Sequence, residues 1–193
     1  DRVLNGCMVM LAMISSGIVV INGYAVSMLT QVGLSIISAA WANIGIAGIS
    51  VIGYLLSSLF IDRFGRRPLL LSMLSLILLI NVAIVVLMCL IEHTKNALYG
   101  RLLILPICLY MLLFSAGPSP VSFFISAELS PLNIRGSAMT WAIVINGVYR
   151  SVVLALFPPL VMRFGAARVY GILFIPVSLF TLVFLFVRLP ETK

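Results

Sequence analysis

Nearly all the charge in this chain is gathered into short islands that separate long apolar runs, and that arrangement leaves few folds open. One island reads Asp62-Arg63-Phe64-Gly65-Arg66-Arg67-Pro68, and a second reads Glu128-Leu129-Ser130-Pro131-Leu132-Asn133-Ile134-Arg135-Gly136. Six apolar runs can be delimited, at about 6–30, 36–61, 69–91, 102–127, 137–162 and 169–188. Each has roughly the 20 residues a helix needs to cross a bilayer. Helix is the state expected, because backbone polar groups in hydrocarbon must be satisfied within their own segment. The expectation is an all-α membrane protein with six transmembrane helices and the lipid bilayer as its surroundings.

Composition closes off the other classes. The chain is 63% hydrophobic and 9% charged, with a mean hydropathy of +1.25. A water-soluble domain carries about 25% charged residues. The net charge of +7 does not point to nucleic acid, because the basic residues stand singly or in pairs at the ends of apolar runs. Cys7, Cys89 and Cys108 all fall inside apolar runs with no metal or redox spacing. No phosphate loop, metal cluster or nucleophile–base set is present, so no cofactor, no metal and no enzymatic activity are expected. The chain opens on Asp1 without a basic region and cleavage site, and is expected to be a piece of a longer protein.

Orientation follows from charge. Six spans put both ends on one side, together with both islands. That side holds Arg2, Arg63, Arg66, Arg67, Arg135, Arg188 and Lys193, and the opposite side holds Lys95, Arg101, Arg163 and Arg168. The positive-inside rule makes the first side cytoplasmic. Trp41 and Trp141, near span starts, read as interfacial anchors.

Two features lie inside spans. Gly117-Pro118-Ser119-Pro120 interrupts the fourth run, and its two prolines remove helical hydrogen bonds and force a kink or break. Broken helix is tolerated in membranes where it lines a cavity. Arg150 sits near the middle of the fifth run, four residues after Asn146, which places both on one helix face. A mid-membrane arginine costs at least ~2.5 kcal/mol and needs a wet cavity or a counter-charge. No run contains an acidic residue. The partner is therefore a group outside this chain, a backbone carbonyl, or an anionic solute.

The two islands, the Gly-Pro-Ser-Pro break and the terminal Pro190-Glu191-Thr192-Lys193 occur in an order and spacing that resembles the C-terminal half of a major-facilitator sugar porter, of the facilitative glucose transporter family. The resemblance covers residues 1–193 as a single six-helix bundle, spans seven to twelve of twelve. It implies facilitated diffusion of a small polar solute by alternating access, in the plasma membrane, with a missing N-terminal six-helix half as partner. It also implies a cytoplasmic clasp of Asp62, Arg63, Arg66, Arg67, Glu128 and Arg135. Gly117, Pro118 and Pro120 would form the flexible, gating part of the fourth span. Asn146 and Tyr24 would belong to the substrate site, Tyr24 as one of an aromatic pair at its outer side; Arg150 joins them by its mid-span position beside Asn146, as the group expected to hold an anionic solute.

The chain also departs from that pattern. The family's paired glutamines fall on Met13 and Ile14, two asparagines on Val19 and Ser50, tryptophans on Phe123 and Gly147, a proline on Ser122 and an acidic position on Ser115. Each lost amide removes a hydrogen bond worth roughly 0.5–1.5 kcal/mol. The solute is therefore expected to be hexose-like or an organic anion, with a non-transporting sensor as the remaining alternative.

Overall fold

The computed structural model describes residues 9–11, 13–31, 35–64, 66–94, 97–129 and 135–188. Among these there is no strand. Helices run in the order α1 (Ile18–Gln31), α2 (Ile36–Phe64), α3 (Arg66–Thr94), α4 (Ala97–Ala116), α5 (Pro118–Leu129), α6 (Arg135–Phe164) and α7 (Ala166–Arg188). Among the described residues, five segments are long and apolar enough to cross a membrane. They are Ile36–Leu59, Pro68–Ile91, Leu102–Ile125 spanning α4 and α5, Met139–Phe164 and Ala166–Val187. They coincide with the second to sixth apolar runs of the sequence.

The first run behaves differently. Residues 13–15 are helical, Ser16 and Gly17 form a turn, and α1 restarts at Ile18. Gly17 adopts φ 98°, a left-handed conformation that costs a residue with a Cβ about 1–2 kcal/mol. A Cβ there would also stand 2.6 Å from the Tyr170 hydroxyl. The turn redirects backbone bonding: the amides of Val20 and Ile21 both donate to the Gly17 carbonyl, at 3.2 Å. The Ser16 carbonyl is thereby released from its ordinary partner four residues on.

Side chains from three other helices take up the slack. Asn81 Nδ2 of α3 donates to the Ser16 carbonyl at 2.8 Å, and the Tyr110 hydroxyl of α4 donates to the same oxygen at 2.9 Å. The Tyr170 hydroxyl of α7 donates to Asn81 Oδ1 at 2.8 Å. The Ser16 hydroxyl lies 2.7 Å from the Met13 carbonyl and 2.9 Å from the Tyr110 hydroxyl. Ser16, Asn81, Tyr110 and Tyr170 are all buried. An interior carbonyl without a donor costs about 1–3 kcal/mol, so this network is what permits a broken helix in an apolar bundle.

The α4–α5 segment is the centre of the packing. Its apolar window is 61% buried, against 17% for α2 and 11% for α6. The main contacts are α2 with α4, α3 with α4, and α3 with α7. One core cluster joins α1, α3, α4, α6 and α7 around Ile21, Ile77, Ile107, Phe157 and Phe174. A smaller one joins Val9, Leu70, Val121, Ile125 and Leu185, where α3 begins and α5 and α7 end.

The predicted break falls at Gly117, between α4 and α5. Hydrogen bonding continues across it, from the Gly117 amide to the Leu113 carbonyl and from the Val121 amide to the Gly117 carbonyl, each 3.1 Å. Pro118 and Pro120 have no N–H for the carbonyls four residues back, those of Phe114 and Ala116. The Ser115 and Ser122 hydroxyls donate to the Met111 and Pro118 carbonyls, a back-bonding pattern that bends helices. The result is an interrupted but continuous span. The first charged island is more helical than a turn would be: α2 runs to Phe64 and α3 starts at Arg66. Pro68 is accommodated there because the first helical turn has no internal acceptors for its amides.

Candidate functional site

A cavity of about 170 Å³ opens where α1, α2, α5 and α6 approach one another. Ligand pockets for drug-sized molecules run to about 300–1,000 Å³, so this one suits a small solute. Its polar wall consists of Asn22 from α1, Tyr54 from α2, Ser119 from the start of α5, and Asn146 and Arg150 from α6. Its apolar wall includes Met13, Ile14, Val19 and Phe114.

Each polar group is placed by its helix. Asn146 and Arg150, four residues apart, share a face of α6, the least covered of the five described spans. The Tyr54 and Ser119 hydroxyls lie 3.3 Å apart, a link between α2 and α5 directly after the Gly117 break. Ser119 is buried, Asn146 is half-buried, and Asn22 and Arg150 are exposed. Among the described residues, the Asn22 and Asn146 amides and the Arg150 guanidinium have no hydrogen-bond or ion-pair partner. They are donors available to a ligand.

The positions singled out from sequence divide into three groups. Asn146 and Arg150 meet in this cavity, with Ser119 of the Gly-Pro-Ser-Pro motif. Tyr24 lies elsewhere: it lines a second cavity of about 190 Å³ with Ser27, Phe157, Pro158 and Met162. Its ring packs on Phe157 with centroids 5.2 Å apart, and its hydroxyl donates to the Leu154 carbonyl at 2.7 Å. The third group is the charged islands. Asp62 and Arg63 fall in the last turn of α2, Arg66 and Arg67 in the first turn of α3, Glu128 at the end of α5 and Arg135 at the start of α6. Their side chains lie outside the described residues.

Two features of the site are absent from the sequence reading. Asn22 supplies an amide three residues after Val19, on the same helix face one turn along. A search one turn either side of the expected position would have found it. Tyr54 gave no signal, because an aromatic residue in an apolar run is unremarkable. Met13 and Ile14, where the family carries glutamines, do reach the cavity, as apolar wall. Among the described residues, no group of His, Cys, Asp or Glu is placed to hold a metal ion.

The comparisons with known proteins agree with this architecture. The family model described as Sugar (and other) transporter matches residues 1–193. The chain is 31% identical over 183 residues to solute carrier family 2, facilitated glucose transporter member 7, of Mus musculus, covering 92% of this chain and 34% of that protein. It is 26% identical over 188 residues to sugar transport protein 1 of Arabidopsis thaliana, covering 92% and 35%. To the probable metabolite transport protein CsbC of Bacillus subtilis (strain 168) it is 28% identical over 182 residues, covering 92% and 38%. The chain thus spans little more than a third of the length of these relatives.

Proposed function

We propose, from the premise that this chain belongs to the sugar (and other) transporter family and is part of an integral, multi-pass membrane protein, that it is the C-terminal six-helix bundle of a facilitative carrier. The carrier moves a small polar, sugar-like solute by alternating access. It resides in the plasma membrane, with the ends of this bundle and both charged islands in the cytoplasm. A second, N-terminal bundle covers α2 and α6 and completes the site. No step of this mechanism calls for bond chemistry, so the carrier is not an enzyme.

The observation that carries this reading is the convergence of Asn22, Tyr54, Ser119, Asn146 and Arg150 on one cavity in an otherwise apolar bundle. Hydroxyls leaving water need replacement partners, and two amides, two hydroxyls and a guanidinium provide them. Two helix interruptions flank the cavity, at Ser16-Gly17 and at Gly117. They are natural places for a span to bend as the carrier turns.

In this mechanism Asp62, Arg63, Arg66, Arg67, Glu128 and Arg135 pair across the cytoplasmic helix ends while the carrier is open outward. Exposed pairs contribute only about 0–1 kcal/mol each, enough to bias two states of similar energy without locking either. The test is uptake of labelled hexoses by the full-length carrier in proteoliposomes. Saturable uptake that falls on Asn146→Ala supports the reading. Solute binding without flux would assign the protein to a non-transporting sensor instead.

A further inference from the structure

Arg150 is the residue for which a carrier of neutral sugars has least use. It lies at the middle of α6, fifteen residues after Arg135 and fourteen before Phe164. Arg150 helps to line the cavity together with Asn22 and Asn146. The chain has five acidic residues: Asp1, Asp62, Glu92, Glu128 and Glu191. None falls within the apolar spans Ile36–Leu59, Pro68–Ile91, Leu102–Ile125, Met139–Phe164 or Ala166–Val187. Among the described spans, none therefore carries an acidic residue to pair with Arg150. Charge so placed is retained where it serves a solute path.

We infer that the cavity takes a hydroxylated carboxylate, a sugar acid of the aldonate or uronate class, with its carboxylate on Arg150 and its hydroxyls on the two amides. The inference rests on the transport reading for the location of the site and adds the charge of the solute. The chemistry divides cleanly over the wall. A guanidinium presents paired N–H donors that match a carboxylate edge. The Asn22 and Asn146 amides each offer two donors and an acceptor, which suits hydroxyls that both give and accept. The Tyr54–Ser119 pair adds hydroxyls on the far helices at 3.3 Å from each other. The apolar positions Met13 and Ile14 take over part of the wall. One charged anchor replaces several neutral bonds, since a hydrogen bond to a charged group is about twice as strong as a neutral one.

The test compares labelled gluconate, glucuronate and glucose in proteoliposomes of the full-length carrier, with the membrane potential clamped to zero. The expected result is a KM for the sugar acids at least about tenfold below that for glucose, in keeping with a charge-assisted pair. Arg150→Gln should collapse that ratio by about the same factor, and Arg150→Lys should restore only part of it. Equal KM values for glucose and gluconate in the wild type overturn the inference and leave the transport reading standing. So does an Arg150→Gln variant in which both uptakes fall together with their ratio unchanged, which marks Arg150 as pairing with a carboxylate elsewhere in the carrier. If no solute is moved, thermal stabilisation of the purified protein by gluconate over glucose decides: Arg150-dependent stabilisation keeps the inference and removes transport, and its absence overturns both.

Discussion

The Tyr24 hydroxyl donates to the backbone carbonyl of Leu154 at 2.7 Å, and that carbonyl is the one Pro158 leaves without a helical donor. Pro158 lies within α6, four residues after Leu154, and a proline removes the bond to the carbonyl four back. A side chain of α1 thus completes the backbone of α6. The same device appears at Ser16, where Asn81 and Tyr110 complete the backbone of the first span.

Tyr24→Phe should therefore destabilise the protein by about 0.5–1.5 kcal/mol, the net value of one hydrogen bond. The cost should shrink in a Pro158→Ala background, where the restored amide can serve Leu154. A double-mutant cycle on thermal stability in detergent measures the coupling. Equal costs in both backgrounds would show that the hydroxyl and the proline act independently.

Asn81→Leu should be among the most damaging single changes in α3. It withdraws one donor from the Ser16 carbonyl and leaves the Tyr170 hydroxyl without its acceptor. Stranding a buried polar group costs about 1–3 kcal/mol. Lower thermal stability and lower yield of monodisperse protein on size exclusion are the expected readouts.

Gly17→Ala combines two penalties, the left-handed backbone and the 2.6 Å approach to Tyr170 Oη. The backbone term alone is about 1–2 kcal/mol. Tyr170→Phe removes the hydroxyl that obstructs the new methyl, at the expense of its bond to Asn81. The Gly17→Ala cost should accordingly be smaller in the Tyr170→Phe background, by thermal melts of the four proteins.

Gly53→Ala tests the contact of α2 with α4. In an exposed helix this change gains about 1 kcal/mol of propensity. Here the new Cβ would meet the Ser115 side chain and stand 2.9 Å from the Leu112 carbonyl. Backbone cannot swing aside as a flexible side chain can, and overpacking costs about 1–3 kcal/mol. The clash should win, and the melting temperature should fall.

Much of the architecture was legible from residue order. Hydrocarbon admits one solution for an apolar run of about 20 residues, so the helical class and the positions of five spans followed from the placing of apolar runs between charged islands. The break at Gly117 was equally legible, because Pro118 and Pro120 cannot donate. The meeting of Asn146 with Arg150 was readable from their spacing on one helix.

What only the tertiary structure decided is which groups from different helices complete one another. Asn81, Tyr110 and Tyr170 each look like isolated polar intruders in apolar runs, and their common purpose depends on a carbonyl released at Ser16 by the turn at Gly17. Tyr24 reads as a site residue in sequence, yet Pro158, more than a hundred residues away, determines what its hydroxyl does. Asn22, Tyr54 and Ser119 become neighbours of Arg150 only when α1, α2, α5 and α6 converge. Periodicity and transfer free energy act along the chain and can be read there. Hydrogen-bond satisfaction acts between chain segments, and in lipid, with no water to stand in, it is resolved only by packing.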